Sequence, residues 1–112
     1  MDGGGDTHVT EVTLAQAIVA AVRSVPGVAD VSAGRFAEVA TYGAREKVKG
    51  VIVRPTADGL HIEVHVCAHY ADSLVLDELA NRVREAARES VEAAGVTRVS
   101  HIDVAVDDLY VP

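Results

Sequence analysis

Leu60-His61-Ile62-Glu63-Val64-His65-Val66-Cys67-Ala68-His69 is the stretch that decides the fold. Apolar and polar residues alternate throughout it, the period of a half-buried β-strand, so Leu60, Ile62, Val64, Val66 and Ala68 face a core. His61, Glu63, His65, Cys67 and His69 consequently project the other way, toward solvent or another subunit. Just upstream, Val51-Ile52-Val53 runs into Pro55-Thr56-Ala57-Asp58-Gly59. Those turn-forming residues predict an antiparallel hairpin with the quoted strand.

Downstream, a helix is expected to start near Asp72 or Ser73, with Asp77 and Glu78 favoured near its first turn by the helix dipole. Leu76, Leu79, Ala80, Val83, Ala87, Val91 and Ala94 form its apolar stripe, and Gly95 ends it. A last strand follows from about Val96 to Val106, with Ile102, Val104 and Val106 on one face and His101, Asp103 and Ala105 on the other. Upstream, a Thr-x-x-Gln capping box at Thr13 and Gln16 predicts the start of a first helix. Its apolar face carries Leu14, Ala17, Ile18, Ala21, Val22 and Val25, and Pro26-Gly27 stops it. Val28 to Ser32 reads as a short strand or an extended connection. Within Ala33 to Gly50, the spacing of Phe36, Val39, Ala40 and Tyr42 suits one side of a short helix, punctuated by Gly34, Gly43 and Gly50. Residues 1–8 read as a disordered tail and 9–112 as a single domain. The expected class is α+β: a small three- to four-stranded sheet with two helices packed on one face.

Composition narrows the partners. Hydrophobic residues make up 49% of the chain but aromatics only 4%, so the core is built from branched aliphatics and alanines. A net charge of -7, from 17 acidic against 10 basic residues, repels nucleic acid and anionic lipid at long range. The local exception is the basic group Arg35, Arg45, Lys47, Lys49 and Arg54. No stretch is apolar for long enough to span a bilayer. The lone Cys67 has no internal disulfide partner and no secretion signal is evident, so a reducing cytoplasm is the expected compartment.

Three blocks have a familiar order. Val25-Pro26-Gly27-Val28-Ala29-Asp30-Val31-Ser32-Ala33-Gly34 follows a Val-x-Gly-Val-x-x-(Met or Val)-Ser-x-Gly pattern. Lys49-Gly50-Val51-Ile52-Val53 follows a Lys-Gly-Val-x-Val entry into a hairpin, and Leu60 to Tyr70 leads into a long amphipathic helix and a Val-rich terminal strand. In this order and spacing, the chain resembles the alkaline-shock protein family from Val9 to Val106. It departs from that pattern at Ser73-Leu74-Val75-Leu76, where a proline commonly opens the second helix, and in the histidines of the hairpin strand. The resemblance implies a non-catalytic protein linked to envelope stress in Gram-positive bacteria. Such a protein self-associates and reaches the membrane through a separate small anchor protein. It implies no cofactor and no catalytic residue.

Other chemistries find less support in the residues. His61, Glu63, His65, His101 and Asp103 are the residues that would hold a zinc-like ion, since imidazole and carboxylate suit such metals. His61 and His65 lie about 13 Å apart along the strand, so an ion would need the adjacent strand or a second chain. A polar face or subunit interface is therefore the expectation there. Cys67 beside His65 or His69 lacks a nameable third group for nucleophilic catalysis. No phosphate-binding glycine motif or calcium loop is present. The expected function is a non-enzymatic, self-associating interaction protein of the cytoplasm, which the family resemblance further implies is linked to envelope stress or homeostasis and recruited peripherally to the inner face of the membrane by a partner. His61, Glu63, His65, His69, Arg45, Lys47 and Lys49 are its expected contact residues. A neutral imidazole in such an interface would make assembly sensitive below about pH 6.5. The alternatives are a metal-binding protein, or a monomeric module that contacts its partner through Gly34 to Gly50.

Overall fold

The computed structural model describes residues 10–112, so the expected tail over 1–8 lies outside the described residues. Helix α1 (Glu11–Arg23) is followed by strands β1 (Val28–Val31), β2 (Ala40–Tyr42), β3 (Lys47–Lys49), β4 (Val51–Thr56) and β5 (Gly59–His69). Helix α2 (Leu76–Ala93) and strand β6 (Val99–Tyr110) complete the chain. The alternating strand β5 is the axis of a four-stranded sheet. Along one edge β4 pairs with its first half, from Thr56↔Gly59 to Val51↔Val64, and β1 pairs with its second half, from Val31↔Val66 to Val28↔Ala68. Both are antiparallel. Along the other edge β6 runs parallel, from Leu60↔Val99 to His69↔Tyr110. A parallel neighbour requires a crossover, and α2 supplies it.

Both helices cover the same sheet face, as the patterning implies. Ile62, Val64, Val66 and Ala68 of β5 are buried beneath Leu14, Ile18 and Val22 of α1 and Leu79, Val83, Ala87 and Val91 of α2. Leu60 is only half-buried, because it sits at the end of the sheet. In α1 the buried surface is wider than the expected stripe and takes in Val12, Ala15 and Val19, while Ala17 and Ala21 are half-buried. The reason is the β2–β3 hairpin, which packs on a second side of this helix.

Element starts differ from the sequence reading for local reasons. The cap of α1 is Thr10 rather than Thr13: the Thr10 side chain accepts a hydrogen bond from the Thr13 amide at 3.1 Å. The earlier start places Val12 inside the helix, where it packs against Gly43. Gln16 instead donates to Glu46 on the β2–β3 hairpin. Asp72 and Ser73 lie in a turn closed by the Leu74 amide on the Ala71 carbonyl, so α2 begins only at Leu76, without a side-chain cap. After α2, the Val96 amide still bonds the Val91 carbonyl, which delays β6 to Val99. The same strand then continues to Tyr110, past the expected end at Val106, because β5 offers it a partner as far as His69.

The segment from Ala33 to Gly50 contains no helix. Its backbone groups find better partners in a hairpin, with Thr41↔Val48 at its centre. The Val39 amide bonds the Ala33 carbonyl, and the Gly50 amide bonds the Val39 carbonyl. Val39 is buried but Phe36 is 96% exposed, so the apolar spacing that suggested a helix face does not mark one. Thr41, also buried, donates its hydroxyl to the Val51 carbonyl at 2.7 Å and accepts from the Val53 amide at 3.2 Å. One side chain thereby satisfies two polar groups on the outer edge of β4. Gly50 sits where β1 and β4 meet on the edge of β5, with φ of 95°. A Cβ there would fall 2.5 Å from Cβ of Val31, so both backbone conformation and space call for glycine.

Candidate functional site

The sheet face opposite the helices carries His61, Glu63, His65 and Cys67 from β5 and His101, Asp103, Ala105 and Asp107 from β6. Parallel pairing sets His61 beside His101, Glu63 beside Asp103 and His65 beside Ala105. The register then shifts, with Val66 opposite Val106 but Cys67 opposite Asp108. Asp107 occupies the irregularity and turns its carboxylate onto His65. The five candidate metal residues thus separate into two clusters.

In the first, His65 lies between two carboxylates. Its Nε2 is 2.7 Å from Glu63 Oε2, and its Nδ1 is 2.9 and 3.1 Å from the two oxygens of Asp107. Ser32 donates to Asp107 Oδ2 at 2.8 Å, and Arg35 donates to the Asp107 carbonyl at 2.7 Å. Carboxylates only accept, so both ring nitrogens are fully used when both carry a proton. Burial of the ring pushes its pKa down, but the hydrogen bonds and charges of Glu63 and Asp107 outweigh that and leave it raised above 6.5. His65 therefore holds its proton to a higher pH than an unperturbed imidazole. Arg35, Phe36 and Ala37 form the far wall of a shallow cleft over this cluster, with Glu63, His65 and Asp107 opposite.

In the second cluster, His61 Nε2 is 2.8 Å from Asp103 Oδ2, and His101 Nε2 is 3.7 Å from the same oxygen. The two imidazole rings lie 3.9 Å apart between centroids, tilted by 31°. His61 is partly covered, while His101 and Asp103 are exposed.

Of the remaining candidates, Cys67, His69, Arg45, Lys47 and Lys49 do not join either cluster. Cys67 is buried, and among the described residues neither His65 nor His69 hydrogen-bonds it, so no thiol–imidazole pair is assembled. His69 is exposed at the far end of β5. The basic group is dispersed: Lys47 pairs with Glu38 at 2.8 Å, Arg54 approaches Glu63 at 3.6 Å, and Arg35 turns to Asp107. Arg45 and Lys49 are exposed on or beside the hairpin. Glu38 also accepts from the Tyr42 hydroxyl, and Lys47 followed by Tyr42 holds its carboxyl below the usual range. Asp107 and Ser32 are the participants that the sequence reading missed. A signal for Asp107 existed, since His101, Asp103, Ala105 and Asp107 continue one period-two face.

The sequence from residue 2 to 111 matches the model of the alkaline-shock protein 23 family, described as having a cell envelope-related function. The chain belongs to this family. The resemblance drawn from the blocks around Val25–Gly34, Lys49–Val53 and Leu60–Tyr70 thus holds, and the cell-envelope link comes with the family. No curated protein matches the chain. Among solved structures, MamM-CTD is similar at a TM-score of 0.50 and 14% identity, covering 88% of this chain and 99% of that one. A cadmium form of a MamM CTD variant gives 0.49 at 15% identity, covering 88% and 98%. At such identity the likeness is one of α+β fold. Among the described residues of this family member, no helix is long and apolar enough to cross a membrane.

Proposed function

We propose that this family member is a non-enzymatic protein that self-associates and is held at the inner face of the cell envelope by a membrane-anchored partner. The observation that carries self-association is the state of β6. Among the described residues it pairs only with β5, so its outer edge has no strand neighbour, and the sheet face it shares with β5 has no helix over it. A long unpaired edge is a template for another strand. Arg84 occupies the Ile102 carbonyl at 3.1 Å and Arg35 the Asp107 carbonyl at 2.7 Å, which leaves the end of the strand beyond Asp107 as the open part. That part ends in exposed apolar residues, Leu109, Tyr110 and Val111. A second copy fits this edge because two-fold symmetry sets the same strand against itself.

Size-exclusion chromatography with light scattering tests the reading. The expected mass exceeds that of one chain, and Leu109→Lys combined with Val111→Lys shifts it to one chain. A wild-type protein that stays monomeric at every accessible concentration would refute self-association. A monomeric module is the second reading, favoured by the nearly full exposure of Phe36. In that case Phe36→Ala abolishes partner capture while the mass stays that of one chain.

A further inference from the structure

We infer that His61, His101 and Asp103 form a binding site for a divalent transition-metal ion of the zinc class, one ion per chain. Their candidate ligand atoms, one from each residue, all lie within 4.8 Å of one another. The parallel register makes this convergence: His61 and His101 are direct neighbours across β5 and β6, and Asp103 follows on the same face.

The tautomer of His101 is the second observation. Ser100 Oγ donates its single hydrogen to the Leu60 carbonyl at 3.0 Å and lies 3.2 Å from His101 Nδ1. With that hydrogen used, the hydroxyl toward His101 accepts, which in the neutral ring favours the proton on Nδ1. The lone pair is then on Nε2, which faces the Asp103 carboxylate oxygen at 3.7 Å. In that neutral form two acceptors face each other, an arrangement that a bound cation satisfies. A metal-bound histidine ordinarily gives its other N–H to an oxygen, and Ser100 fills that place.

Distances fit a modest closure. Bonds of about 2.0–2.1 Å place ligand atoms around a tetrahedral ion roughly 3.3 Å apart. The spacings to Asp103 Oδ2 of 2.8 and 3.7 Å bracket that value. His101 and Asp103 are 55% and 60% exposed, so both side chains have room to adjust around an ion. Two imidazoles and one carboxylate select transition ions over the hard ions calcium and magnesium, which take oxygen ligands. Three protein ligands leave a fourth position, facing solvent, for water.

Neither the site nor its test depends on self-association. Isothermal titration of untagged protein with zinc chloride is expected to give one ion per chain, with no comparable signal from magnesium chloride. His101→Ala and Asp103→Ala each weaken zinc binding tenfold or more, with unchanged circular dichroism, while His69→Ala binds as wild type. Cobalt(II) added to wild type should show the visible absorption of a tetrahedral site, absent in His101→Ala. The inference is overturned by a wild-type protein that takes up no zinc, or by His101→Ala and Asp103→Ala variants that retain wild-type affinity. Light scattering on the same samples reads the oligomeric state separately, so loss of one property leaves the other standing.

Discussion

Replacing His65 by Gln removes a positive charge held between Glu63 and Asp107, and the cost should depend on pH in a defined direction. The side chains of His65 and Asp107 are 15% and 12% exposed, so solvent screens the cluster only partly. Hydrogen bonds to charged groups contribute about 1.5–3 kcal/mol each, and desolvation of the three groups offsets part of that. The expected net loss is on the order of 2 kcal/mol at about pH 5.5, since glutamine can still donate to one carboxylate but brings no charge. The folded-state pKa is raised above the unfolded value near 6.5. The stabilisation is therefore complete below about pH 6.5 and is lost as the pH rises through the folded-state pKa. Each unit of separation between the two values carries about 1.4 kcal/mol. Urea unfolding of both proteins, followed by circular dichroism from about pH 5.5 to 8.5, measures the difference. It should shrink with rising pH, and an NMR titration of the ring should place its pKa above 6.5. A difference that stays flat or grows with pH would refute the reasoning.

Three further substitutions test the fold that positions this face. Thr41→Val keeps the shape of a buried side chain but leaves the Val51 carbonyl and Val53 amide without their partner. Denaturant melts should show a loss of about 1–3 kcal/mol, and an unchanged midpoint would mean the β4 edge finds other partners. Gly50→Ala combines a positive φ with a Cβ 2.5 Å from that of Val31. It is expected to cost roughly 2–4 kcal/mol, read as a lowered urea midpoint, and a neutral result would contradict the close approach of β1 and β4. Ile62→Ala empties a fully buried position at the centre of the sheet. A thermal or urea melt should register about 2–5 kcal/mol of destabilisation.

Much of the architecture is legible in the chain because periodicity reports burial directly. The alternation from Leu60 to His69 assigns each side chain of β5 to a face, and the helical spacing of Leu79, Val83, Ala87 and Val91 assigns one stripe of α2. Ala33 to Gly50 resists such reading, since its hairpin is held by backbone pairing and by the Thr41 hydroxyl rather than by an apolar period. Helix and strand starts also depended on neighbours: Thr10 caps α1 because Val12 has Gly43 to pack against, and β6 reaches Tyr110 because β5 continues beside it.

The candidate site divides in the same way. Sequence alone places His61, Glu63 and His65 on one strand face, puts His101 and Asp103 on one face of another strand, and keeps His61 too far from His65 to share an ion. Which residues meet across the strands is a matter of register, and a parallel neighbour reached through a helical crossover leaves no local trace of its register. Only the tertiary structure therefore sets His61 against His101 and Asp103, and only the shift between Val66 and Cys67 brings Asp107 to His65. A one-residue change in that pairing would exchange the partners of every side chain on the face, although the alternation that defines the face would be untouched.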